Sequence, residues 1–126
     1  MSAAKNKILI VDDDSRNIFA LQAVLRAKKY TCVTAADMQE ALQLLKAGNE
    51  IGIVLLDMMM PDMDGYEAIP IIRGLPGYAS IPIIAVTAQA MKGDRERCLQ
   101  AGATGYIAKP VDVDELMKLL KDYLPT

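Results

Sequence analysis

Asp12, Asp13 and Asp14 stand directly after the apolar run Ile8-Leu-Ile-Val11, and Asp57 stands directly after Ile53-Val-Leu-Leu56. Thr87 follows Ile83-Ile-Ala-Val86, and Lys109 follows Tyr106-Ile-Ala108. Carboxylates, a hydroxyl and an amine thus adjoin four apolar runs. If the runs lie side by side, these groups meet at one edge. Like charges gathered there repel unless protonation, a cation or a lysine offsets them. Carboxylate oxygens plus waters suit a hard octahedral ion, and Mg2+ is held this way, usually together with phosphate. A phosphoryl group entering such a site meets Mg2+, an ammonium and a hydroxyl, which together neutralise charge on the transferring oxygens. No serine, cysteine or histidine stands at these positions, so a carboxylate has to be the nucleophile, and carboxylates form acyl phosphates.

Singly, most of these residues have plainer readings. Asp14 before Ser15 reads as a helix N-cap. Thr87 alone reads as a strand-end hydroxyl bonded to backbone, and Lys109 alone as a surface lysine. Met58, Met59, Met60 and Met63 read as packing and loop residues rather than a soft-metal box. The conjunction of suitable residues at four run ends carries the phosphoryl reading.

Composition narrows the alternatives. The chain has 126 residues, 52% hydrophobic and 24% charged, which fits one globular domain spanning residues 1–126 and argues against disorder. Lys plus Arg is 14 against 16 for Asp plus Glu, a formal charge of −2. No basic excess points to direct nucleic-acid binding or an anionic membrane. The chain has no histidine, which excludes a His-based triad, imidazole metal ligation and a phosphohistidine carrier. Cys32 and Cys98 form no CxxC pattern and read as buried reduced thiols. The N-terminus lacks a signal peptide and no apolar run approaches a membrane span, so no membrane insertion and a cytoplasmic location are expected.

The elements that must position the site can be read from the same runs. Strands are expected over Lys7–Val11, Thr31–Ala35, Ile53–Leu56, Ile81–Val86 and Thr104–Ala108. The third and fourth are continuously apolar, as strands buried on both faces are. Helices are expected over Ser15–Lys28, from Asp37 to Gly48, over Asp64–Arg73 and Met91–Ala101, and from Asp112 to Leu124. Met38, Ala41, Leu42 and Leu45 recur at helical spacing, as do Val113, Leu116, Met117, Leu120 and Leu124. Asp37 with Glu40 and Asp112 with Glu115 look like capping boxes, and Gly48 and Gly102 sit where left-handed C-caps occur. Five βα units imply a doubly wound α/β fold with a five-stranded parallel sheet, five helices and right-handed crossovers. Its ligand site belongs at the carboxyl ends of the strands.

The sequence resembles the receiver domain of bacterial response regulators, the phospho-acceptor half of two-component signalling, from Lys7 to about Leu124. The resemblance rests on Ile8-Leu-Ile-Val-Asp-Asp-Asp14, Leu56-Asp-Met-Met-Met-Pro-Asp-Met-Asp-Gly65, Ala85-Val-Thr-Ala88 and Gly105-Tyr-Ile-Ala-Lys-Pro110, in that order and spacing. It implies a flavodoxin-like sheet with strand order 2-1-3-4-5. It implies that Asp57 is the phospho-acceptor and that Asp12, Asp13, Asp57 and the backbone carbonyl of Met59 hold Mg2+. Of the acidic pair, Asp13 is the direct ligand, with Asp12 acting directly or through water. It further implies that Lys109 pairs with Asp57 or its phosphate, with a cis peptide before Pro110. Thr87 is then the hydroxyl that swings toward the phosphoryl group, and Tyr106 is the aromatic that moves inward with it. Met59 and Gln89 would flank the path of the hydrolytic water. The partners implied are a sensor histidine kinase or a histidine phosphotransfer protein, with output through the fourth helix, fifth strand and fifth helix. The chain is expected to be a signalling receiver, not an enzyme. No DNA-binding or enzymatic segment follows in these residues, so output is expected through protein contacts.

Rival readings are weaker. A haloacid dehalogenase-type phosphatase needs a second aspartate two residues after the nucleophile, where Met59 stands. A flavodoxin-like FMN carrier would want a Ser/Thr/Gly-rich phosphate loop after the first strand, where three aspartates stand instead. A calcium loop with Gly65 at position six would place Met60 at position one and Ile71 at position twelve, neither a ligand. A receiver-like scaffold that signals without phosphorylation remains the rival of a different class.

Overall fold

The computed structural model describes residues 6–48, 50–61, 65–88 and 93–124. Ten elements alternate: β1 (Lys7–Val11), α1 (Ser15–Ala27), β2 (Cys32–Ala35), α2 (Met38–Lys46), β3 (Ile51–Asp57), α3 (Gly65–Arg73), β4 (Ile83–Thr87), α4 (Asp94–Gln100), β5 (Gly105–Ala108) and α5 (Val113–Tyr123). The strands are parallel and ordered β2-β1-β3-β4-β5. The direction of winding reverses at β1 and β3, and this switch point is where such sheets open a crevice.

Alternation along the strands splits the core in two. Leu9, Val11, Val54, Leu56, Ile83 and Ala85 face α2, α3 and α4. Ile8, Ile10, Ile53, Leu55, Ile84 and Val86 face Leu25 of α1 and Leu116 and Leu120 of α5. Burial on both faces explains why β3 and β4 read as continuous apolar runs.

The expected caps form. Asp14, Asp37 and Asp112 accept hydrogen bonds from the backbone N–H groups of Arg16, Glu40 and Glu115. Glu40 reaches back to the N–H of Ala36 at 2.7 Å, one residue before the cap. Gly48 and Gly102 have φ of 71° and 112°, a left-handed conformation that side chains disfavour.

Boundaries differ where local signals mislead. β3 begins at Ile51, although Gly52 interrupts the apolar pattern, and it runs through Asp57. β4 begins at Ile83 and runs through Thr87. Asp57 and Thr87 are therefore the last residues of their strands, not the first after them. Pro70 lies inside α3, on its exposed side, where the missing N–H interrupts one helical bond. The starts expected for the third helix at Asp64 and the fourth at Met91 lie outside the described residues, as do Met63 and Gln89. Both thiols are free; Cys98 is buried, but Cys32 is only partly so. Among the described residues no helix is long and apolar enough to cross a membrane.

Candidate functional site

β1 and β3 are neighbours in register, Val11 opposite Leu56, so Asp12 and Asp57 emerge side by side. Both are 3% exposed, whereas Asp13 faces solvent. One carboxylate oxygen from each of Asp12, Asp13 and Asp57 lies within 4.8 Å of the others. The two buried carboxylates are fixed locally where the chain leaves their strands. Asp12 Oδ1 accepts the Asp14 N–H at 2.9 Å, and Asp57 Oδ1 accepts the Met59 N–H at 3.0 Å. Met59 thus reaches Asp57 through its N–H, while its side chain is exposed.

β5 brings the cation. The Lys109 N–H donates to the Thr87 carbonyl at 2.8 Å, which ties its backbone to the end of β4. The Lys109–Pro110 peptide is cis, as the resemblance implies. Lys109 Nζ stands 3.5 Å from Asp12 Oδ2 and 3.5 Å from Asp57 Oδ1. One ammonium is shared by two buried carboxylates.

Burial pushes the Asp57 carboxyl above its ordinary value, and the Asp12 charge pushes the same way. The Met59 N–H and Lys109 oppose them. The net upward shift means that the charge on Asp57 is held at a cost, which a further cation would offset. The donor set is three carboxylates, hard oxygens of the kind that take Mg2+ and not a soft metal.

Thr87 is 1% exposed. It follows Ala85 by two residues, and Ala85 is the register partner of Tyr106. Ala85 and Tyr106 both belong to the α2–α4 side of the core, so alternation puts Thr87 on that side as well. The two residues expected to move together share one face of the sheet. Asp14 stays out of the acidic cluster and caps α1, as expected.

Two features carried no signal in the sequence. A cleft of about 410 Å³ is lined by Leu21 and Val24 of α1 and by Val111, Val113 and Leu116 around α5, and Asp12 and Lys109 also line it. Tyr66, Asp94 and Tyr106 form a hydrogen-bonded chain across α3, α4 and β5. Residues 28 and 12 positions apart show no common period, so only the fold brings them together.

The family model for the response regulator receiver domain matches residues 8–121. The signal transduction histidine-protein kinase BarA of Escherichia coli (strain K12) is 35% identical over 94% of this chain, which spans only 13% of that kinase. The polar-differentiation response regulator DivK of Brucella anthropi is 33% identical, with 93% of this chain and 94% of that protein covered. Among solved structures, chemotaxis protein CheY4 of Vibrio cholerae superposes with a TM-score of 0.87 at 30% identity, covering 97% of this chain and all of the other. The receiver domain of sensor histidine kinase PA1611 of Pseudomonas aeruginosa, solved with magnesium in its active-site cleft, gives 0.83 at 37% identity, covering 96% and 98%. The receiver domain of Saccharomyces cerevisiae Ssk1, solved with the histidine phosphotransfer protein Ypd1, gives 0.83 at 28% identity, covering 98% and 91%. Relatives of both kinds, free-standing regulators and segments of kinases, share this sheet and this span, and the chain belongs to the response regulator receiver domain family of two-component signalling.

Proposed function

We propose that Asp57 accepts a phosphoryl group from the phosphohistidine of a partner, a sensor histidine kinase or a histidine phosphotransfer protein. The observation that carries this is the sharing of Lys109 Nζ between the buried carboxylates of Asp12 and Asp57, 3.5 Å from each. A plain structural ion pair needs one carboxylate. Two buried carboxylates with a third at their side are costly without a further cation.

Asp12, Asp13, Asp57 and the Met59 carbonyl would hold Mg2+, which when bound neutralises charge on the transferring oxygens. Asp57 Oδ1 is engaged by the Met59 N–H and Lys109, which favours Oδ2 as the reacting oxygen. Asp57 attacks phosphorus, an O–P bond forms, and the P–N bond to the partner's imidazole breaks. The imidazole nitrogen leaves with the electron pair and takes a proton from water. Lys109 then pairs with the phosphoryl oxygens, and the Thr87 hydroxyl donates to one of them. Tyr106 turns inward with Thr87, and the surface of α4, β5 and α5 changes for its partners. The shift in population equals the difference in phosphoryl binding between the two conformers.

The relatives support the partner class and the ion: a histidine-protein kinase among the matches, a receiver seated on a histidine phosphotransfer protein, and one with magnesium in its cleft. The chain acts here as an acceptor, with only its own slow dephosphorylation as turnover, and not as an enzyme on other substrates.

The test is to incubate the protein with Mg2+ and a small acyl-phosphate donor and to weigh the intact chain. An acid-stable, base-labile adduct is expected on the wild type and none on Asp57→Asn. No adduct on the wild type favours the scaffold reading. An adduct that survives Asp57→Asn moves the acceptor elsewhere.

A further inference from the structure

Leu21 and Val24 of α1, Val86 of β4, and Val113 and Leu116 of α5 line the cleft of about 410 Å³. Small-molecule sites span roughly 300–1,000 Å³ and are apolar cavities with a few polar groups. The polar residues that line this one are Asp12, Asn17 and Lys109. Asn17, Leu21 and Val24 recur at i, i+4 and i+7, so they share one face of α1. Asn17 is partly buried, and among the described residues its carboxamide has no hydrogen-bond partner. Asp12 Oδ1 accepts the Asp14 N–H at 2.9 Å, and its Oδ2 lies 3.5 Å from Lys109 Nζ. A carboxylate has about four acceptor sites, so Asp12 can take another donor.

Charge selects the ligand. Carboxylate oxygens of Asp12, Asp13 and Asp57 stand within 4.8 Å of one another, and among the described residues only Lys109 forms salt bridges with this cluster. Three carboxylates against one ammonium leave a net negative charge, which repels an anion and attracts a second cation. A peptide segment suits the cleft poorly, because its N–H and C=O groups need partners that apolar walls do not offer. A wholly apolar molecule would cover Asp12 and Asn17 without giving either a partner. We infer that the cleft is a binding site for a small amphiphilic cation. Its hydrocarbon body lies between α1 and α5, and its ammonium donates to Asp12 and to the Asn17 carboxamide. Such a ligand takes up acceptor capacity at Asp12 that Mg2+ would use, so each weakens the other by the same factor. This antagonism, and the slower phosphorylation that follows from it, rest on the phospho-acceptor reading of Asp57; the binding itself does not.

The experiment titrates the full chain, free of Mg2+, with phenethylammonium and with its neutral match 2-phenylethanol, and follows methyl signals by NMR. Saturable shifts of Leu21, Val24, Val113 and Leu116 are expected, with the amine half-saturating at a concentration about tenfold lower than the alcohol. Saturating Mg2+ is expected to raise the half-saturation of the amine about five- to tenfold. Asn17→Ala is expected to raise it about three- to tenfold, with one hydrogen bond lost. Ala20 is exposed and lines the same cleft, so Ala20→Leu narrows it from the surface. That variant is expected to lose amine binding while acyl-phosphate labelling of Asp57, without amine, stays at the wild-type rate. Methyl signals that stay in place, or equal half-saturation for amine and alcohol, overturn the site, and so does undiminished binding to Ala20→Leu. Shifts confined to Asp13 and Met59 mark a cation on the acidic cluster alone and overturn it too. Amine binding that is indifferent to Mg2+ overturns the antagonism. If the wild type takes no phosphoryl group, the acceptor reading fails, while the Mg2+-free titration still judges the cleft.

Discussion

Lys109 Nζ lies 3.5 Å from Asp57 Oδ1, with its side chain 22% exposed and that of Asp57 only 4% exposed. The lysine side chain stays partly exposed while its ammonium balances buried negative charge. Lys109→Met is therefore expected to destabilise the Mg2+-free protein by about 1–3 kcal/mol, because two buried carboxylates then face each other unbalanced. Saturating Mg2+ is expected to restore part of the loss, since the ion offsets the same charge. Acyl-phosphate labelling of Asp57 is expected to slow by about 100-fold with one cation gone. Thermal melts with and without Mg2+, and the rate of adduct formation, check this. Melting that responds neither to the substitution nor to the ion would sink it.

The acidic cluster was legible because its parts lie at places where pattern changes. Val11 to Asp12, Leu56 to Asp57, Val86 to Thr87 and Ala108 to Lys109 are each an apolar-to-polar step, and a parallel sheet aligns such steps at one edge. The caps were legible because Asp37 and Glu40, or Asp112 and Glu115, interact within one helical turn. Tyr66 and Asp94 meet across 28 residues, and Arg73 meets Gly102 across 29. Neither distance leaves a period in the chain, and in the sequence Arg73 marks only the expected end of the third helix. The start of β3 was lost for a different reason. Gly52 breaks the apolar run, but parallel pairing with β1 carries the strand through it. Asp57 is legible as an aspartate at a strand end and yet is the last residue of β3 itself, since a charged residue ends a hydrophobic count before it ends a hydrogen-bond ladder.

Gly65 begins α3, and a Cβ there would lie 2.8 Å from Met58 Cα and 2.5 Å from its Sδ. Met58 directly follows Asp57. Gly65→Ala is expected to cost about 1–3 kcal/mol by overpacking. It is also expected to weaken Mg2+ binding, because the backbone that must yield carries the Met59 N–H bonded to Asp57. Met58→Ala in the same chain removes Sδ but leaves Cα, so it is not expected to rescue. Urea midpoints and a Mg2+ titration test this. A Gly65→Ala protein that matches wild type in both would show that the loop gives freely.

Arg73 is a clamp made only of neutral acceptors. It donates to the Gly102 carbonyl from Nε at 2.9 Å and from a terminal nitrogen at 2.6 Å, to the carbonyls of Ala79 and Ile81 at 3.1 and 2.8 Å, and to Thr104 Oγ1 at 3.2 Å. Burial pulls its guanidinium below the ordinary value, and no charge partner is recorded among the described residues. Arg73→Ala is expected to cost about 2–4 kcal/mol, because several partly buried carbonyls lose their donor at once. Arg73→Lys is expected to recover less than half, since one ammonium cannot span the fork. Phosphoryl labelling of Asp57 in the folded fraction is expected to stay at the wild-type rate. A lysine variant as stable as wild type would contradict the clamp.

Burial, and then the hydrogen bond to Asp94, hold the Tyr66 phenol above its ordinary value of 10.0. Cys98 faces the same hydroxyl, and Tyr106, on the other oxygen of Asp94, is shifted upward too. The folded chain therefore keeps the Tyr66 proton at a pH where the unfolded chain releases it. The stability this provides is complete below the unfolded value and is lost as pH rises from about 10 toward the folded value. The wild type is expected to lose stability more steeply than Tyr66→Phe over that range. Tyr66→Phe retains some slope, because Tyr106 titrates in the same sense. Urea unfolding at several pH values from about 9 to about 11 measures both slopes. Parallel slopes would mean that Tyr66 ionises as easily in the fold as outside it, and that its bond to Asp94 does not hold in solution.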